Sequence, residues 1–105
     1  MRQRLQVSDI ARQDLFDCAE HIARDNLEAA LRFLEAADRS FERLALNPLI
    51  GRKRSFQHRM LAGVRSSLVE GFENYVIFYL YTNEGVDVIR VLLGARELEP
   101  LLRKR

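Results

Sequence analysis

Apolar residues recur along this chain first at helical spacing and then at strand spacing. Ala11, Leu15, Cys18 and Ile22 keep to one face of a helix. Ser8 and Asp9 stand just before them, with side-chain oxygens able to accept from the unpaired N–H groups of a first turn. The spacing predicts a helix running to about Arg24. Asp25 and Asn26 supply the next cap, with Glu28 three residues after Asp25 as in a capping box. A second helix over about Leu27 to Leu46 turns Ala30, Phe33, Leu34, Ala37, Phe41 and Leu44 inward, and Asn47 with Pro48 ends it. So short a connection makes the two helices an antiparallel hairpin.

Beyond residue 60 the period changes to two. Val64 to Val69, Tyr75 to Thr82 and Val86 to Leu93 read as strands, and Arg4 to Val7 as a short one at the start. Gly71 and Asn74 mark the first turn. The stretch TNEGV is a hairpin loop in which Gly85 suits positive φ. On the middle strand Val76, Phe78 and Leu80 point one way, and Tyr75, Ile77, Tyr79 and Tyr81 the other. One row faces the helices; the other is too apolar to be left wholly wet and invites a cover. The expected architecture is α+β, ordered βααβββ, with the helical hairpin packed on a mainly antiparallel four-stranded sheet. The edge that the first strand joins is left open.

The 105 residues suffice for one domain, 1–105, with one modest core. Hydrophobic residues at 48% and charged residues at 30% fit a globular chain rather than a disordered one. No apolar run approaches a membrane span, and the start lacks the apolar stretch of a signal peptide. Cys18 is the only cysteine, so no internal disulfide can form, and a cytoplasmic protein fits best. A net charge of +2 is too small to announce nucleic acid, but the charge is uneven. Arg52, Lys53, Arg54, Arg59 and Arg65 follow one another with no carboxylate between them. Such a stretch either holds a phosphate or an acidic partner, or is a solvated loop whose stems lie over apolar surface.

Candidate chemistry is sparse. His21, Asp17 and Asp14 lie along one side of the first helix and could meet a metal, but no second cluster completes a site. His58 in the basic loop could act as a general base or be an ordinary loop histidine. Cys18 lies on the apolar stripe and reads as a buried small residue. The strand tyrosines read as packing residues with one wet end. Arg65 and Arg90 fall on strands, with Arg96 just beyond. Glu70, Asp87 and Glu97 could pair with them, or Arg65 and Arg96 could form a cationic patch suited to phosphate or carboxylate.

The segments IARQDLFDCAEHIARDN, EAALRFLEAADRSFERLALNPLIGR, LAGVRSSLVEGFENYVIFYLY and VDVIRVLLGARELEPLL together resemble the ParE branch of the RelE/ParE superfamily of bacterial toxins. The resemblance runs from about Leu5 to Leu102. Its most specific part is the series Pro48 to Arg52, Gly63-Val64-Arg65, Gly71-Phe72 with Tyr75 to Tyr79, and Val91 to Arg96, in that order. It implies a βααβββ fold and a toxin of a type II toxin–antitoxin system, neutralised by a ParD-like antitoxin. Such a toxin stops replication by gripping DNA gyrase, with no cofactor, no catalytic residues and no sequence-specific DNA binding of its own. The alternative within the superfamily is a ribosome-dependent mRNA endonuclease, for which Lys53, Arg54, His58, Arg65 and Arg96 would be the site. RNA cleavage needs groups that move protons. The Tyr or His that many ribonuclease members keep near the C-terminus is replaced here by Leu98-Glu99-Pro100-Leu101-Leu102. The resemblance therefore favours a grip, with Arg52, Lys53, Arg54, Arg59, Arg96, Arg103, Lys104 and Arg105 as the expected target-binding residues. A third possibility is a member that binds only its antitoxin.

Overall fold

The computed structural model describes residues 1–94. The elements are β1 (Leu5–Val7), α1 (Asp9–Ala23), α2 (Leu27–Leu46), β2 (Arg52–Lys53), β3 (Arg65–Val69), β4 (Phe72–Thr82) and β5 (Gly85–Leu93), with a 3-10 turn at Arg59–Leu61. The α+β class is as expected, but the sheet differs in detail. It has five strands, not four, in the order β1-β5-β4-β3-β2. β1 runs parallel to β5, and the other pairings are antiparallel.

The fifth strand, β2, pairs Arg52 with Ser66 and Lys53 with Arg65. Two adjacent cations carry no apolar alternation, so only the ladder to β3 defines them as a strand. β4 also begins earlier than the Tyr75 expected, because Phe72 pairs back onto Val69 across an irregularity in β3. At the β4–β5 hairpin Gly85 has φ 113°, and a side chain there would run into the backbone of Arg4, just before the neighbouring β1.

Ser8 caps α1 by accepting from the Ala11 N–H at 3.1 Å. Asn26 caps α2 by accepting from the Ala29 N–H at 3.0 Å. The expected capping box at Asp25 is not formed, since the cap falls one residue later. Glu28 instead pairs with Arg32 one turn on, at 2.8 Å.

The sheet buries two clusters. Tyr75, Ile77 and Tyr79 of β4, with Val86, Val88 and Val91 of β5, pack under Ala11 and Cys18 of α1 and Phe33, Ala37, Phe41 and Leu44 of α2. The ring of Phe33 meets Phe72 edge-on at 5.3 Å and Tyr75 at 4.9 Å. On the opposite face Phe78 and Ile89 are sealed by Leu61 and Val64, with Val76, Leu80, Leu92 and Phe56 around them. The cover that the apolar second row invites is thus the loop between β2 and β3.

β1 pairs only with residues 86–88 of β5. Beyond that point α1 takes over the exposed side of the strand. The Ser8 hydroxyl donates to the Ile89 carbonyl, the Cys18 thiol lies 3.9 Å from the Val91 carbonyl, and Asp14 Oδ2 accepts the Val91 N–H at 3.0 Å. Side chains of a helix thereby satisfy backbone groups that a neighbouring strand would otherwise hold.

Candidate functional site

Strand alternation divides the basic stretch. Residues paired across a ladder share a face, and successive residues do not. Lys53 pairs with Arg65, and Arg65 with Tyr79, so both cations belong to the helix-side face. Arg52 pairs with Ser66, and Ser66 with Phe78, which belongs to the loop-side face. Arg54 follows Arg52 there. Its Nη1 donates to Ser66 Oγ at 3.2 Å and its guanidinium sits 5.9 Å from the centre of the Phe78 ring. The Arg54 N–H donates to the Val64 carbonyl, which ties the loop to the sheet.

Arg65 is committed as well. Its Nη1 donates to the Gly51 carbonyl at 2.9 Å and to the Leu49 carbonyl at 3.3 Å. Tyr79 grips the same turn from beneath. Its hydroxyl donates to the Pro48 carbonyl and accepts the Gly51 N–H, both at 2.8 Å. Burial pushes the Tyr79 hydroxyl above the ordinary tyrosine pKa, against the Gly51 N–H and the Arg65 charge, which pull it down. Gly51 has no room for a side chain, because a Cβ would enter the Tyr79 ring and hydroxyl. The motif Pro48-Leu49-Ile50-Gly51-Arg52 is therefore a turn latched onto the sheet by a tyrosine and an arginine.

His58 caps the 3-10 turn, its Nδ1 accepting the Met60 N–H at 3.2 Å. Arg52, Lys53 and Arg59 are exposed. Of the residues named for an RNA-cutting site, Lys53 and Arg65 thus lie on one face of the sheet edge and Arg54 on the other, with His58 in the loop. Arg96, Arg103, Lys104 and Arg105, and the Leu98 to Leu102 stretch, lie outside the described residues.

Among the described residues the most buried ion pair is one the spacing did not suggest. Arg90 Nε donates to Asp14 Oδ2 at 2.7 Å and Arg90 Nη2 to Asp14 Oδ1 at 2.9 Å, in the two-pronged geometry natural to a guanidinium and a carboxylate. Both side chains are about nine-tenths buried. Ile89 is an extra residue in β5, since Phe78 pairs with Arg90 and Tyr79 with Val88. Glu70, one expected arginine partner, lies 3.8 Å from Arg39 instead. With Asp14 turned to Arg90, and Asp17 accepting from Gln13 at 3.0 Å, neither carboxylate converges with His21. Among the described residues no group of three His, Cys, Asp or Glu could hold a metal. The signal for the pair was present: Asp14 falls between Ala11 and Cys18 on the apolar stripe, and Arg90 interrupts an apolar strand.

Cys18 lies beside this pair. Burial, then the Asp14 and Asp17 charges, push its thiol up to about 11. Little thiolate exists at neutral pH, so alkylation at pH 8 is expected to be slow in the folded protein and rapid in urea, as mass spectrometry would read. Cys18 and Tyr79 both hold their protons more tightly folded than unfolded. Their contribution is therefore complete below the unfolded values and fades as pH rises through the folded ones. Stability is expected to fall between about pH 9 and 11, and Cys18→Ala should flatten that decline.

A helical hairpin on one face of a mixed sheet agrees with the α+β fold expected of a RelE/ParE-like toxin. The model for the ParE toxin of the type II toxin–antitoxin system, parDE, matches residues 5–98, and the chain belongs to that family. Among solved structures the chain is similar to one from the chromosomal ParDE toxin–antitoxin system of P. aeruginosa. The two are 17% identical, the match covers 90% of this chain and 98% of that one, and the TM-score is 0.71. None of the curated proteins matches the sequence significantly. No helix among the described residues is long and apolar enough to cross a membrane.

Proposed function

We propose that the chain, acting as one toxin domain over 1–105, is the poison of a toxin–antitoxin pair in the cytoplasm. It inhibits DNA gyrase by protein–protein contact, without cofactor or catalysis, and is held silent by a ParD-like antitoxin. The observation that carries this reading is the use made of the basic residues. Arg54, Arg65 and His58 hold loops in place, while exposed side chains offer surfaces for docking. A ribonuclease would need those three aimed together at one phosphate.

The antitoxin surface we favour lies on the outside of the helical hairpin. Leu27 and Leu31 carry an exposed apolar stripe along α2 to Leu34, which is partly buried against the core. Leu15 and Phe16 of α1 face it across a groove of ≈ 260 Å³ rimmed by Arg12 and Asp38. Phe16 is 64% exposed, Leu27 66% and Leu31 57%, which suits the apolar side of an amphipathic segment. The double variant Phe16→Asp with Leu31→Asp is expected to weaken antitoxin binding by at least about tenfold. Calorimetry on the purified pair measures this; unchanged affinity would place the antitoxin elsewhere.

Inducing the chain without antitoxin tests the function itself. DNA breaks, the SOS response and intact mRNA are expected, and purified toxin should block gyrase supercoiling. Scission of transcripts on ribosomes, with gyrase unaffected, would replace this reading with the nuclease one.

A further inference from the structure

A second apolar surface lies at the far end of α2. Leu46, Leu49, Ile50 and Tyr81 line an open groove of ≈ 550 Å³, with Met1 and Gln3 at its side. Leu49 is 63% exposed and Ile50 47%, although the turn that carries them rests on the fully buried Tyr79. That turn is held from within by the Tyr79 and Arg65 hydrogen bonds and by the Ile50 N–H donating to the Asn47 carbonyl at 3.0 Å. Two aliphatic side chains are thus presented to solvent on a fixed backbone. Such a knob loses little freedom on docking, which is what tight recognition requires.

The surroundings select the occupant. Arg43 stands one turn before Leu46 on α2, and Lys53, on the helix-side face, follows Ile50 by three residues. Both are exposed, and neither forms an ion pair among the described residues. Glu42 nearby is engaged by Arg2 at 2.7 Å, and Glu84 is exposed at the hairpin tip three residues past Tyr81. The rim is therefore cationic. A second copy docked face to face by two-fold symmetry would oppose these like charges. A different protein with an apolar anchor and acidic residues around it would satisfy both parts.

We propose that the face formed by Leu46, Leu49, Ile50 and Tyr81 is the surface with which the toxin grips its target, a protein presenting an apolar anchor ringed by carboxylates. This rests on the toxin reading above and assigns its target contact to a surface separate from the α1–α2 groove. Arg43 and Lys53 serve it as rim charges that speed encounter, and the contact weakens as salt rises.

The test uses the full chain carrying Leu49→Asp and Ile50→Asp, induced without antitoxin. Antitoxin binding and an unchanged melting temperature report an intact fold. If the aspartate pair fails to fold, Tyr81→Ser probes the same face from another strand. Growth arrest is expected to be lost, and at least about tenfold more protein needed to halve supercoiling by purified gyrase. Folded variants of both kinds that arrest growth as the wild type does overturn the proposal and leave the toxin reading standing. A wild-type chain that arrests nothing overturns both. Arrest that depends on this face without any effect on gyrase keeps the face and removes gyrase as the target. A wild-type dimer made monomeric by the substitutions assigns the face to a second copy. Wild-type binding to anionic lipid vesicles, abolished by the substitutions, assigns it to a membrane. Either result overturns the proposal.

Discussion

Asp14→Ala is expected to cost about 3–5 kcal/mol of stability, because it strips a buried guanidinium of its carboxylate. Arg90 meets Asp14 through two nitrogens at 2.7 and 2.9 Å in surroundings that leave each side chain about a tenth exposed. The same substitution takes the acceptor from the Val91 N–H. Desolvation makes each lost contact costlier than its counterpart on the surface. In a domain of this size the melting temperature should fall on the order of 15 °C. Replacing both partners together, Asp14→Leu with Arg90→Met, should recover much of the loss, since that charge pair is removed whole. Urea denaturation of the three proteins measures it. A loss below about 1 kcal/mol for Asp14→Ala would show that the pair contributes no more than an exposed one.

Gly51→Ala comes next, at about 3–5 kcal/mol. The new methyl group enters the space of the Tyr79 ring, and Tyr79 is fully buried among core residues that cannot yield. The turn must lift instead. Overpacking of this kind costs about 1–3 kcal/mol, and two hydrogen bonds to the Tyr79 hydroxyl go with it at about 1 kcal/mol each. Tyr79→Phe removes the same two bonds without the clash and is expected to be milder. The informative comparison is between stability and toxicity. If the turn presents Leu49 and Ile50 to a target, both variants should lose growth arrest under conditions where circular dichroism still finds them folded. Full toxicity in a folded Gly51→Ala protein would mean that the latch supports the fold alone.

Period and capping residues made both helices readable to within a residue, since α1 and α2 are bounded by Ser8, Asn26 and Asn47. The two longest strands were readable because Tyr75 to Thr82 and Val86 to Leu93 alternate or run apolar. β2 was not, because Arg52 and Lys53 become a strand only through their partners in β3. The basic stretch was visible as composition, yet alternation across the β2–β3 ladder sends neighbouring cations to opposite faces. Composition alone does not carry that division. Asp14 was grouped with Asp17 and His21 on a wet side, whereas its distance from Ala11 and Cys18 places it on the apolar stripe. The latch was hidden for another reason: nothing local to Tyr79 reveals that its hydroxyl reaches a turn 28 residues earlier.

The first strand of this chain lies beside the last, with Leu5 opposite Val86. Translation delivers the N-terminal strand and both helices well before that neighbour is made, and pairings so distant in sequence form late. Until then β1 has no β5 to join, and α1 has no Val91 N–H for Asp14 to receive. A nascent chain on the ribosome can therefore neither close its sheet nor pair Asp14 with Arg90 until the residues of β5 have emerged.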